Sequence, residues 1–97
     1  MIQAEPGFMQ KHAQRIEQWK GIVKQDPRRA VRVLTLKGID DETIEGDTAM
    51  DVMYVIGQLR EVSKDAKSDI WKGLVEAGVV PALFVRFMLL YHITISH

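Results

Sequence analysis

The side chains of this 97-residue chain that could do chemistry are few, and their spacing decides against most of it. His12, His92 and His97 are the only histidines, no two of them stand four residues apart as a helical ligand pair would, and there is no cysteine. A metal site needs clustered imidazole, thiolate or carboxylate ligands, so none is expected. Ser63, Ser68 and Ser96 lie outside any glycine-flanked nucleophile elbow, and no glycine-rich turn of the phosphate-cradling kind occurs. The acidic stretch 39–47 has the charge of a calcium loop but not its spacing. With Gly46 at the sixth position, Thr43 and Glu45 fall on ligand positions and Val52 falls where a bidentate glutamate is needed, so the pattern fails. The expectation is a solvated connector, no catalytic residue, no cofactor and no enzymatic activity.

One charged cluster remains. Arg28, Arg29, Arg32 and Lys37 lie within ten residues and could contact an acidic peptide or a nucleic-acid backbone. The plainer reading is a solvated face balanced by the Asp40–Asp47 acids. It is preferred because no aromatic side chain interleaves the basic ones to stack a base. Thirteen basic and thirteen acidic residues cancel, so the chain as a whole does not attract nucleic acid or an anionic membrane. Nucleic acid is therefore not the expected partner. The amino terminus lacks a basic head before an apolar core, and the absence of cysteine fits a reducing compartment. The expected location is cytoplasmic or nuclear.

The elements that would position these residues read as about five helices in an all-α fold. Residues 1–7 are expected to be flexible because of Pro6-Gly7, residues 8–95 to form one helical domain, and 96–97 to be a tail. Phe8, His12, Ile16, Trp19 and Val23 recur at helical spacing. Asp26-Pro27 signals the start of a second helix, Pro27 to Leu36, with Gly38 as its stop. Thr48 and Asp51 open a third in capping-box form, with Ala49, Val52, Met53, Ile56, Leu59 and Val62 as its apolar stripe and Asp51 facing away. Ser68 caps a fourth, whose apolar face is Ile70, Trp71, Leu74 and Val75. Gly78 ends it, and Val79-Val80-Pro81 enters a last helix that is apolar nearly all round. Trp19 and Trp71 are expected to be core anchors.

The segment Leu74-Val-Glu-Ala-Gly-Val-Val-Pro-Ala-Leu83 resembles the junction between the first and second helices of an armadillo repeat, a glycine stop followed by two apolar residues and a proline start. Pro27 to Gly38 looks like the second helix of an earlier repeat, and the helix after Thr48 like that repeat's third. Residues 30–36 and 84–90 align at an offset of 54, which keeps the helix order, whereas Leu34 and Gly38 against Leu74 and Gly78 give 40. The match is strongest over 68–91. It implies an α-solenoid of about two repeats, a piece of a longer solenoid, acting as a protein-binding scaffold; the alternative architecture for the five helices is an irregular helical bundle. The solenoid's groove residues would lie around Arg28, Arg32, Arg86 and Tyr91. The asparagine ladder with which the family clamps peptide backbones has no counterpart on the Thr48–Val62 helix.

A solenoid repeat buries its apolar face only against a neighbour. Phe84, Phe87, Met88, Leu90 and Tyr91 are therefore expected to form an uncovered apolar patch that marks an interface. The candidate partner-binding residues are Arg28, Arg32, Arg86, Phe87 and Tyr91, the partner being a protein or peptide, with self-association through the last helix as one form. The alternative is a small membrane-tethered protein anchored by 79–95. That span is about the shortest that can cross a bilayer, and a mid-span Arg86 costs roughly 2.5–3.5 kcal/mol on insertion scales.

Overall fold

The computed structural model describes the backbone of residues 6–95 and the side chains of residues 7–90. Among the described residues the fold is all-α, with no strand. The helices are α1 (Pro6–Gln25), α2 (Pro27–Leu34), α3 (Val52–Ser63), α4 (Asp69–Glu76) and α5 (Val79–Ile95), and a single 3-10 turn, Ala49–Asp51, leads into α3.

Local signals set several of these boundaries. The Asp26 carboxylate accepts the Arg29 N–H at the start of α2, with Pro27 just behind it. The Ser68 hydroxyl accepts the Trp71 N–H at 3.2 Å and starts α4. Gly78 ends α4 with φ +94°, a left-handed conformation that a side chain strains. Two boundaries differ from the sequence reading. Helix α1 begins at Pro6 rather than Phe8, because proline is accepted in a first helical turn, where its missing N–H has no partner to lose. Helix α2 ends at Leu34, not Leu36. Both the Thr35 N–H and the Thr35 hydroxyl bond the Arg32 carbonyl, tightening the last turn, and Gly38 does not take positive φ.

The centre of the fold is α2. Only eight residues long, it buries Ala30, Val33 and Leu34 and packs against each of the other four helices. Trp19 and Val23 of α1, Val55 and Leu59 of α3, Leu74 of α4, and Val79 and Ala82 of α5 complete the core. Trp71 and Ile70 pack on its margin, while Val75 is exposed.

The inward face of the third helix matches its expected apolar stripe only in part. Leu59 is buried and Val52 and Val62 pack on the core, but the helix is rotated away from the rest of the stripe. Met53 is 60% and Ile56 43% exposed, whereas Val55 is fully buried. The cause is Asp51, which points into the protein and is 6% exposed. A buried residue at the start of a helix brings the positions four and eight further along to the same side, which here are Val55 and Leu59. The first helix shows a related departure, since Phe8 and Ile16 remain exposed while Trp19 and Val23 are buried.

Because α2 is surrounded, truncating its buried leucine leaves a void that no element can collapse to fill. Leu34→Ala is expected to lose about 2–5 kcal/mol. Urea unfolding followed by circular dichroism checks this as a lower midpoint with an unchanged slope.

Candidate interaction surface

The surface is built from α5. Val79 and Ala82 turn into the core, and helical spacing puts Val80, Phe84, Phe87 and Met88 on the other side. Arg86 fixes that rotation. It is the only charged residue between 79 and 95, and it turns inward, where its Nη2 donates to the Leu36 carbonyl oxygen at 2.6 Å. Its Nε is buried without an acceptor among the described residues. The outer side is left without charge. Phe84 is 66%, Phe87 69%, Met88 69% and Val80 45% exposed. Val80, Leu83, Phe84 and Phe87 line a shallow apolar recess of about 210 Å³.

The candidate residues named from the sequence meet different fates. Phe87 sits on this surface, 69% exposed. Arg28 is exposed at the start of α2, beside a small recess that it shares with Pro27, Gly73, Glu76 and Ala77. Arg32 is held by an ion pair with Glu45. Arg86 is turned onto Leu36, so its cationic head is directed into the fold. The Tyr91 side chain lies outside the described residues, as do those of His92 and His97.

The acidic connector is not simply a solvated loop. Asp47, at its end, is 1% exposed. Its carboxylate receives two hydrogen bonds from Arg29, Nε to Oδ2 at 2.7 Å and Nη2 to Oδ1 at 2.9 Å, a bidentate arrangement. Its own N–H donates to the Thr43 hydroxyl at 3.1 Å. Asp51 lies nearby. Its Oδ1 accepts from Arg15 Nε at 2.8 Å, Arg15 Nη2 at 2.6 Å and Trp19 Nε1 at 3.1 Å, and its Oδ2 accepts the Thr48 N–H at 3.0 Å. The guanidinium groups of Arg15 and Arg29 stand 5.7 and 5.6 Å from the Trp19 ring, within cation–π range. Hydrogen bonding from Arg29 holds the Asp47 carboxyl below the usual aspartate range, helped by the charges of Arg29 and Arg15 and by the Thr43 hydroxyl, against the opposing effect of burial. The same hydrogen bond raises Arg29.

Between α1 and α3, His12 Nδ1 lies 3.0 Å from the Tyr54 hydroxyl, and Phe8 stacks on the histidine ring. One cleft of about 490 Å³ and another of about 290 Å³ share these two residues. The acid in the larger cleft is Asp51, whose oxygens already accept from Arg15, Trp19 and Thr48. No group of three or more histidines and carboxylates among the described residues could hold a metal ion. No single described helix is long and apolar enough to cross a membrane, although α4 and α5 pass together by length and composition, bent by 66°.

Sequence reasoning missed Arg15 and Asp47, and it read Asp51 only as the capping-box acid of α3, a bond it does make to the Thr48 N–H, not as a partner of Arg15 and Trp19. Their partners lie 18 to 36 residues away, and no local pattern announces such pairs. For Asp47 the pH dependence follows in sign. Its folded-state pKa is lowered, so its stabilisation is complete above the unfolded value, about 3.9, and is lost as pH falls through the folded value. Asp47→Asn is expected to lose about 1–3 kcal/mol near neutral pH. The loss relative to wild type should shrink towards pH 2–3, as read from urea midpoints across the pH range.

Comparison with protein-family models, with curated proteins and with solved structures finds no match to this chain.

Proposed function

We propose that the chain is a non-enzymatic protein-interaction module, an armadillo-like α-solenoid scaffold that docks a protein or peptide partner through the outer face of α5. The observation that carries this reading is the pair of phenylalanines, Phe84 and Phe87, each about two-thirds exposed on a helix face without charge. A large aromatic side chain in water is unfavourable and becomes favourable on burial against a partner. Aromatic residues and methionine together at the centre of a surface are the composition typical of interface cores. A cytoplasmic or nuclear setting fits the lack of cysteine.

The alternative reading is a membrane tether through residues 79–95. It asks Arg86 to leave the Leu36 carbonyl and asks Val79 and Ala82 to leave the core. Docking asks for neither, and it is preferred for that reason.

The test is affinity capture from cell extract with the wild-type chain and with a Phe84→Glu/Phe87→Glu double variant. Both substitutions fall on exposed positions, so circular dichroism should show an unchanged fold. A specific partner retained by the wild type and reduced at least about tenfold with the variant is expected, since central aromatic anchors carry most of an interface's energy. Equal recovery by both chains would sink the reading.

A further inference from the structure

We infer that the occupant of the α5 face is a second copy of this chain, packed antiparallel about a two-fold axis at Phe84. This rests on the reading of α5 as a docking face and names its partner.

Charge is the first argument. An isologous two-fold interface sets every residue against its own surface patch. A face carrying a net charge would therefore repel itself, and like charges across an interface are costly. The outer face of α5 avoids this. Arg86, the only charged residue in 79–95, is directed away to Leu36.

Shape is the second argument. Of the four outer residues, Val80, Phe84 and Met88 are symmetric about position 84 in spacing and asymmetric in size. Val80 stands four residues before Phe84, and Met88 four after it. In an antiparallel pair with Phe84 on the axis, the small Val80 of one copy meets the long, adaptable Met88 of the other at both ends. Large against small is how facing layers fill space. The two Phe84 rings meet at the centre, where offset or edge-to-face contact is favourable. A parallel pair would set Met88 against Met88 and Val80 against Val80, crowding one end and leaving a gap at the other.

Area is the third argument. With about 150–250 Å² for a whole aromatic side chain, the exposed parts of Phe84 and Phe87, 66% and 69%, present roughly 200–350 Å². Val80 and Met88 bring the patch to roughly 400 Å² per copy, at the scale of the largest apolar patch on a typical monomer. A pair would bury about 800 Å² of apolar surface before any polar rim is counted, close to the roughly 1,000 Å² that a specific interface needs. An interface of that size belongs with the weak, transient ones, so a reversible dimer in exchange with monomer is expected.

The experiment is sedimentation equilibrium of the full chain over about 1–200 µM, the range in which a weak dimer assembles, for wild type and for Phe84→Glu and Phe84→Lys separately and mixed in equal amounts. Wild type should pass from monomer to dimer over this range. Each variant alone should remain monomeric to at least about tenfold higher concentration, because each places like charges together at the axis. Circular dichroism confirms that both are folded. The equimolar mixture should recover dimer, since only at a two-fold axis does residue 84 meet residue 84. Three results would overturn the inference: a wild-type chain monomeric throughout, a dimer indifferent to either substitution, or variants that dissociate the dimer without recovery on mixing. A monomeric wild type whose capture of another protein still depends on Phe84 and Phe87 would remove the second copy while leaving α5 as a docking face.

Discussion

Two buried carboxylates, Asp47 and Asp51, hold the chain in its shape. The segment between α2 and the 3-10 turn has no helix of its own, only two backbone turns, at Gly38–Asp41 and Thr43–Gly46, and one isolated bridge between Glu42 and Thr48. A long connector without secondary structure is normally free to wander. Here Asp47 is gripped by Arg29 of α2, and Asp51 by Arg15 and Trp19 of α1. The connector's far end is thereby fixed to both helices, and so is the rotational setting of α3. Isolated carboxylates would be very costly inside a protein. Two arginines and an indole N–H make their burial tolerable, and the arginines also cover the faces of the Trp19 ring.

This arrangement explains which parts of the fold were legible in the sequence. Helix starts at Asp26-Pro27 and Ser68 and the stop at Gly78 depend on residues within a few positions of each other, so they could be read directly. The inward face of α3 could not. The stripe read from the sequence included Met53 and Ile56 and left out Val55, because nothing local shows Asp51 reaching Arg15, 36 residues earlier. The acidic connector was legible as polar, but nothing local distinguishes Asp47 from the exposed Asp40 and Asp41. On the outer face of α5, Phe84, Phe87 and Met88 were visible as part of an apolar run. What the sequence did not reveal is that Arg86 belongs to the inner face, which decides whether the outer one carries charge.

The helices thus divide their roles by position. Helix α2 is surrounded and serves as the packing centre. Helices α1 and α3 are joined by the charged network. Helix α5 contributes Val79 and Ala82 to the core and shows its larger apolar side chains to the outside. Apolar side chains are common on protein surfaces, but a contiguous aromatic patch is not. A binding role for α5 asks nothing of the core: the residues that would meet a partner and those that hold the helix in place are on opposite sides of it.

The hydrogen bond from Arg86 to the Leu36 carbonyl reaches across 50 positions of chain. That carbonyl lies just beyond the end of α2, where backbone oxygens have lost their helical partners. The finishing of one helix is therefore entrusted to a side chain from another, far along the polypeptide. During synthesis on a ribosome, α2 would emerge, with its acidic connector and α3, well before the guanidinium that completes its end. Closing so long a loop carries an entropic cost of roughly 3–4 kcal/mol, which the apolar contacts of α5 must offset together with this bond. The docking of α5 is thus a late, non-local event, and fraying of its contact with α2 would loosen both helices at once.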